Sequence, residues 1–293
     1  MELLIPHEFY HHSTMLNDRI RMSKFDQSLK EVLSEKDVVV DIGAGTGVLS
    51  GMATQYTQGK VYAVEYFKSS AEFARKHLSA IKNNQVEVIH GASYDLVLSD
   101  KPDVVVTETL GPVGPEENIV EICYQFQKRF PSVKWFIPFE VKMLALPVKS
   151  QLIENRFNQF KKSFEEVRYG SFNFEISKKD LENSFCRQIF CEDLSGSYVS
   201  GFSPCELACY QLGKTKTSSF VKDISFSKLS NNDWNGLHLF FEAKLSDNVT
   251  LSTSFLEPFT HWKHSFVSKP HFDVSSLRIE YLAESRSWKI LWN

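Results

Sequence analysis

The sequence has no apolar run approaching the roughly eighteen uncharged residues that cross a bilayer, so no membrane-spanning segment is expected. Its start, Met1-Glu2-Leu3-Leu4-Ile5-Pro6-His7-Glu8, has no basic segment and no small-residue cleavage site, and does not read as a signal peptide. Excess positive charge is lacking too. The 33 Lys and Arg face 36 Asp and Glu, a formal net charge of −3, which argues against nucleic acid as the main partner. Cysteine is scarce: Cys123, Cys186, Cys191, Cys205 and Cys209 form no C-x-x-C pair and are odd in number. That excludes a disulfide framework, gives no metal-ligand spacing, and predicts reduced thiols in a cytoplasmic setting. Repeats and low-complexity tracts are missing, apart from a polar loop around Gly213 to Ser219. What remains is an ordinary globular composition, 42% apolar and 24% charged over 293 residues, enough for one large domain or two modest ones.

The most informative stretch is Val38-Val39-Val40-Asp41-Ile42-Gly43-Ala44-Gly45-Thr46-Gly47. A β-branched run breaking into alternating glycines predicts a buried strand and a tight loop, and Val48 to Ala53 then opens a helix. Glycine lets the loop come close to a ligand, and the helix N-terminus favours negative charge, so the unit suits a nucleotide-like cofactor. The next strand, Lys60 to Glu65, ends in a carboxylate placed to reach a ribose. Dinucleotide sites use G-x-G-x-x-G, whereas here the spacing is G-x-G-x-G behind Asp41. A carboxylate at the loop entrance is compatible with the amino end of a ligand and not with a pyrophosphate, which favours S-adenosylmethionine over NAD.

Met15 to Phe25 has helical spacing, and taken locally Asp18 and Arg21 are a solvated i, i+3 pair. The helix continues over Asp26 to Leu33. Helices at Ser69 to Ile81 and Ile119 to Phe130 then alternate with strands at Val86 to His90 and Asp103 to Thr107. Such alternation predicts a parallel sheet covered by helices, with Gly43 to Gly47, Glu65, Gly91 to Asp95 and Glu108 on one rim beyond the strand ends. After Pro138 the pattern changes. Phe139 to Val148, Leu237 to Leu245, Val249 to Ser254 and Leu277 to Leu282 read as strands without crossover helices, hence an antiparallel sheet or barrel. An amphipathic insert, Gln151 to Val167 followed by a polar helix near Lys178 to Asn183, fits a surface that packs on a partner subunit or a lid over its own domain.

The fourth strand runs into Thr107-Glu108-Thr109-Leu110-Gly111-Pro112-Val113-Gly114-Pro115-Glu116-Glu117-Asn118. Glu108 leaves the strand beside the expected cofactor, and the Gly/Pro-rich loop turns back toward it with Glu117. Two carboxylates in one pocket repel unless a cation lies between them, and a planar guanidinium meets both with forked N–H donors. Alternatively, Glu108 is a plain loop acid and Glu116 or Glu117 caps the helix from Ile119.

With these motifs the chain resembles the protein arginine methyltransferases. The paired glutamates Glu108 and Glu117, the N-terminal Met15 to Arg21 helix, Asp41 to Gly47, Glu65 and Thr260-His261-Trp262 occur in that family's order. The resemblance implies a Rossmann-like class I methyltransferase domain followed by an antiparallel β-barrel-like domain with a helical arm. The expected divisions are 1–33 covering the cofactor, 34–138 binding it, and 139–293 on the substrate side, with a dimerisation arm at about 151–183. It also implies that Arg21 pairs with the carboxylate of S-adenosylmethionine. Asp41 and Gly43 would hold its methionine portion and Glu65 its ribose, with Gly45 and Gly47 also binding the cofactor. Asp18 and His261 would form a proton-relaying pair beside Glu108 and Glu117, while Met15 and Trp262 wall the substrate pocket. The implied assembly is a homodimer, and the implied substrate an arginine-containing protein or peptide.

The chain departs from the family in three places. The aromatic motif upstream of the first helix is reduced to Phe9, with Tyr10 out of register; a threonine, Thr109, follows the first glutamate in place of an aromatic; and Gly91-Ala92-Ser93-Tyr94-Asp95 stands where an acid contacts adenine, leaving Ser93 and Asp95 as candidates. These departures keep a small guanidino or amine substrate such as free arginine as the alternative, and a non-catalytic binding relative as a further one. Adenine methylation is disfavoured, because Thr107-Glu108-Thr109-Leu110 is not an Asn- or Asp-Pro-Pro-aromatic turn.

Overall fold

The computed structural model describes residues 13–81, 85–165, 178–199, 201–227, 229–230 and 232–293. The expectations for Phe9, Tyr10 and Val167 fall outside them.

Two helices precede the first sheet: α1 (13–17) and α2 (Arg19–Val32). The single helix expected from periodicity is interrupted at Asp18, whose side chain accepts from the Arg21 N–H at 2.9 Å and so caps α2. Capping satisfies a backbone donor that has no partner in the first turn. Phe25 and Leu29, one turn apart, are fully buried.

The parallel sheet consists of β1 (Val39–Ile42), β2 (Val61–Glu65), β3 (Val86–His90), β4 (Val104–Thr107) and β5 (Trp135–Ile137), in the order β3-β2-β1-β4-β5. Intervening helices are α3 (Val48–Ala53), α4 (Lys68–Leu78) and α5 (Ile119–Arg129). Strands β1, β2 and β4 are buried at every position, as a sheet covered on both faces requires. The chain leaves β1 toward β2 on one side, and β4 lies on the other. The crevice beyond the ends of β1 and β4 is therefore the switch point of the sheet.

The remaining strands are antiparallel. They are β6 (Glu140–Lys149), β7 (Ile189–Glu192), β8 (Tyr198–Val199), β9 (Cys205–Gln211), β10 (Phe220–Ser225), β11 (Gly236–Lys244), β12 (Thr250–Ser252), β13 (His264–Ser268), β14 (Ser276–Leu282) and β15 (Ser287–Trp292). They form a larger sheet built on the long β6–β11 pair, and a three-stranded sheet β10-β14-β15. One apolar cluster spans both halves, from Val40, Val105 and Phe126 to Met143, Phe241 and Ile279. That shared core fixes the antiparallel half against the crevice.

Inserted after β6 are α6 (Gln151–Glu165) and α7 (Lys178–Phe185). Phe157 and Phe160 pack on Phe185 at ring separations of 5.2 and 4.8 Å. Ile153 anchors the base of α6 against Gly236, where a Cβ would lie 2.4 Å from Ile153 Cδ1. Among the described residues no helix is long and apolar enough to cross a membrane.

Candidate active site

The glycine loop leaves β1 with Gly43 at φ 73° and Gly47 at φ 81°, the latter opening α3. A side chain at Gly43 would also meet Thr109 Cγ2 at 2.8 Å, so the loop and the strand β4 extension are in direct contact. Behind the loop Asp41 is buried and accepts from Ser50 Oγ at 2.6 Å. Burial pushes its carboxyl up to about 6, with Glu65 adding to the rise and Ser50 and Arg21 opposing it. Glu65, at the end of β2, accepts from Gly45 N at 2.8 Å and from Phe67 N at 2.7 Å. Glu65 thus ties the glycine loop to the neighbouring strand.

Arg21 crosses from α2 to Glu108. The two form a buried ion pair, and Nη1 of Arg21 donates to Met15 O at 3.2 Å. The solvated local pair of the sequence reading is thereby corrected: Asp18 binds the Arg21 backbone, while the guanidinium spans to the end of β4. Arg21 Nε is buried without a hydrogen-bond partner among the described residues. Met15, Leu16, Arg21, the glycine loop and Glu108 line a small open cavity of about 40 Å³.

Beyond Glu108 the chain makes a tight return, with Gly111 N donating to Gly114 O at 2.9 Å. Glu116 folds back onto it, accepting from Gly114 N at 2.9 Å and Val113 N at 3.2 Å. Neither Glu116 nor Glu117 caps α5. Asn118 occupies that position with φ 64°, in the left-handed region. The helix-capping alternative for Glu117 is therefore excluded.

Glu117 opens to solvent on one side, yet burial pushes its carboxyl up to about 7, with Glu108 and Glu116 adding to the rise and Arg286 opposing it. Glu108 is also raised, by burial, against the opposing charges of Arg21 and His261. The two carboxylates share a field, as the spacing predicts.

The loop between β12 and β13 brings His261 and Trp262 to this return. Asp18 Oδ2 accepts from both His261 N and Nδ1 at 2.9 Å. Burial raises the Asp18 carboxyl, but hydrogen bonds from His261 and the Arg21 N–H outweigh it and hold it below its usual range. With Nδ1 engaged by Asp18, the His261 ring is fixed in orientation against Trp262, at a ring separation of 3.9 Å. Trp262 donates from Nε1 to Leu110 O at 2.8 Å and packs edge-on to Phe241 at 5.3 Å. These contacts brace the glutamate loop.

The structure brings Asp18, Arg21, Gly43, Gly45, Glu65, Glu108, Glu117 and His261 to one crevice. Ser93 and Asp95 lie on a single helical turn after β3, where Asp95 is exposed. Sequence reasoning missed Ser50, Asn118 and Arg286. Asn before an apolar helix start is a capping signal, whereas nothing local marks Ser50 or Arg286. All five cysteines are free, and the described residues hold no cluster of His, Cys, Asp and Glu fit for a metal ion.

Residues 22–109 match the methyltransferase small domain family. Over 257 residues, 85% of this chain, the sequence is 24% identical to histone-arginine methyltransferase CARMER of Drosophila ananassae, covering 48% of that protein. It is 32% identical over 181 residues, 60% of this chain, to protein arginine N-methyltransferase PRMT10 of Oryza sativa subsp. japonica, covering 45% of it. The chain thus spans about half the length of these relatives. Among solved structures, protein arginine methyltransferase 10 of Arabidopsis thaliana, in an open conformation, aligns with TM-score 0.73 at 23% identity, covering 93% of this chain and 87% of that one. PRMT6 with SAH aligns with TM-score 0.71 at 18% identity, covering 97% and 100%. These two likenesses establish the fold.

Proposed function

We propose that this chain, a divergent member of the protein arginine methyltransferase family, transfers a methyl group from S-adenosylmethionine to a guanidino nitrogen of arginine in a protein or peptide. The observation that carries the reading is the return loop after β4, which sets Glu108 and Glu117 in one another's field beside the glycine loop.

The residues present fit the cofactor. Arg21 Nε, an orphaned buried donor, suits a carboxylate, and the Gly43 position has no room for a side chain. Arg21, Asp41 and the glycine loop, Gly43 to Gly47, would hold the amino-acid end. Glu65 would take the ribose, exchanging a backbone N–H for a hydroxyl, and Ser93 and Asp95 are assigned to adenine. When bound, S-adenosylmethionine supplies a methyl group on a cationic sulfur. Everything else falls to the protein: aligning the nitrogen and excluding water.

Glu108 and Glu117 bind the guanidinium by its forked donors and draw its charge toward the nitrogens that do not attack. Arginine is protonated at neutral pH, so a proton leaves as the new N–C bond forms. Glu117, titrating at about 7, or His261, oriented by Asp18, accepts it. Met15 and Trp262 bound the substrate side.

The divisions at 33/34 and 138/139 separate a covering segment, a cofactor unit and a substrate unit. The arm, about 151–183, carries Phe157, Phe160 and Leu181 along a groove of about 230 Å³, and we assign to it the contact with a second copy of a cytoplasmic enzyme.

The test is methyl transfer from labelled S-adenosylmethionine to arginine-rich peptides, lysate protein and free arginine, with the product identified by mass. Methylarginine in polypeptide is the expected result. Label on free arginine alone would replace the substrate, and no label would defeat the proposal.

A further inference from the structure

We propose that Arg286, in the turn joining β14 to β15, is a positioning residue for Glu117: it clamps the backbone that carries this glutamate and holds a cation within its field. What Glu117 does for a substrate rests on the functional reading above; the clamp rests on geometry.

Asn118, the residue after Glu117, has φ 64°, a conformation that a side-chain-bearing residue keeps when its surroundings enforce it. With its amide oriented so that both groups are satisfied, Asn118 Oδ1 accepts from Arg286 Nε at 3.1 Å and Nη2 at 2.7 Å. Arg286 is itself at φ 50°, and its N–H bonds Ala283 O at 3.3 Å. A forked guanidinium therefore ties two left-handed positions together. The same hairpin reaches the loop twice more. Tyr281 donates from its hydroxyl to Pro115 O at 3.4 Å, and the Trp288 indole favours the Glu116 anion. The arm of the loop bearing Glu117 is thus held by β14 and β15, while Trp262 holds Leu110 on the arm bearing Glu108.

The groups that bear on Glu117 are Glu108 from the end of β4, Glu116 on its own turn and Arg286 from the hairpin. Tyr281 stays neutral, pushed up to about 12 by burial, Glu116 and Glu121. Arg21 and His261 bear on Glu108. Arg286 is thus the cation that opposes the two neighbouring acids at Glu117. Its fork is spent on Asn118, so it favours the anion through space and leaves the carboxylate oxygens free for a cationic substrate.

The experiment is a carbon-13 carboxyl titration of the full chain labelled at glutamate, without ligand, with the Glu117 resonance assigned by Glu117→Gln. Three variants separate charge from clamp. Arg286→Met removes both, Arg286→Lys keeps the charge without the fork, and Asn118→Gly keeps the left-handed backbone while freeing the guanidinium. The expected result is a Glu117 midpoint raised by about half a unit or more in Arg286→Met, largely restored in Arg286→Lys, and raised less in Asn118→Gly. In turnover on an arginine peptide, kcat/KM of Arg286→Met should fall near pH 7 and recover in part near pH 9, the pH-dependent part reporting the lost charge and the remaining loss the lost clamp. An unmoved Glu117 midpoint in a folded Arg286→Met protein overturns the proposal. The titration needs no substrate. A wild-type protein without methyl transfer would defeat the functional reading, and the titration would still decide the assignment of Arg286.

Discussion

Three carboxylates around the crevice, Asp41, Glu108 and Glu117, are held against their preference for water. Asp41 and Glu117 are pushed up to about 6 and about 7, above ordinary values of 3.8 and 4.5, by burial first and by neighbouring acids second. Such groups bind protons more tightly in the folded chain than in the unfolded one. Their unfavourable contribution is therefore absent below the unfolded values and grows as pH rises through the folded ones. The residue-scale consequence is that Glu117→Gln should be more stable than the wild type near pH 8, by about 2 °C or more in unfolding midpoint, with the gap closing toward pH 5. Thermal unfolding across that range checks it. A gap that widened on acidification would mean that Glu117 is stabilised as an anion.

At the scale of elements, the site is an agreement between two loops that leave adjacent strands. The loop after β1 and the return after β4 touch where Gly43 faces Thr109. Gly43→Ala should cost about 1–2 kcal/mol for the positive φ alone, with an added steric cost from Thr109 Cγ2. Thr109→Ser removes that methyl, so the double variant should recover part of the loss in denaturant unfolding. No recovery would mean that the backbone strain is the whole effect.

The same elements show what was readable before the structure. A β-branched run, alternating glycines and a strand-end glutamate lie close together in sequence, so local periodicity captured them. The return loop was readable in part. Its spacing turned Glu117 toward the crevice but left Glu116 or Glu117 open as the helix cap, and backbone N–H bonds to Glu116 with Asn118 at the cap position decide it. Arg21 misled, because an i, i+3 acid on a helix looks like its partner until the fold delivers Glu108. Arg286 was invisible, since its relation to Asn118 exists only once β14 and β15 pack beside the loop.

At the scale of the whole molecule, a parallel sheet with a crevice at its switch point provides the cofactor side, and two antiparallel sheets sharing its core supply the braces. His261 and Trp262 come from the loop between β12 and β13, Tyr281 and Arg286 from the last hairpin. The antiparallel half thus braces a glutamate loop that belongs to the parallel half. The measurement that bears most directly on this account compares wild type and Glu117→Gln in single-turnover methylation of one arginine peptide, with S-adenosylhomocysteine affinity measured alongside by calorimetry. The account predicts a rate lower by about 100-fold or more with affinity within about twofold, because Glu117 acts on the guanidinium and not on the cofactor. Near-normal turnover by Glu117→Gln would contradict it.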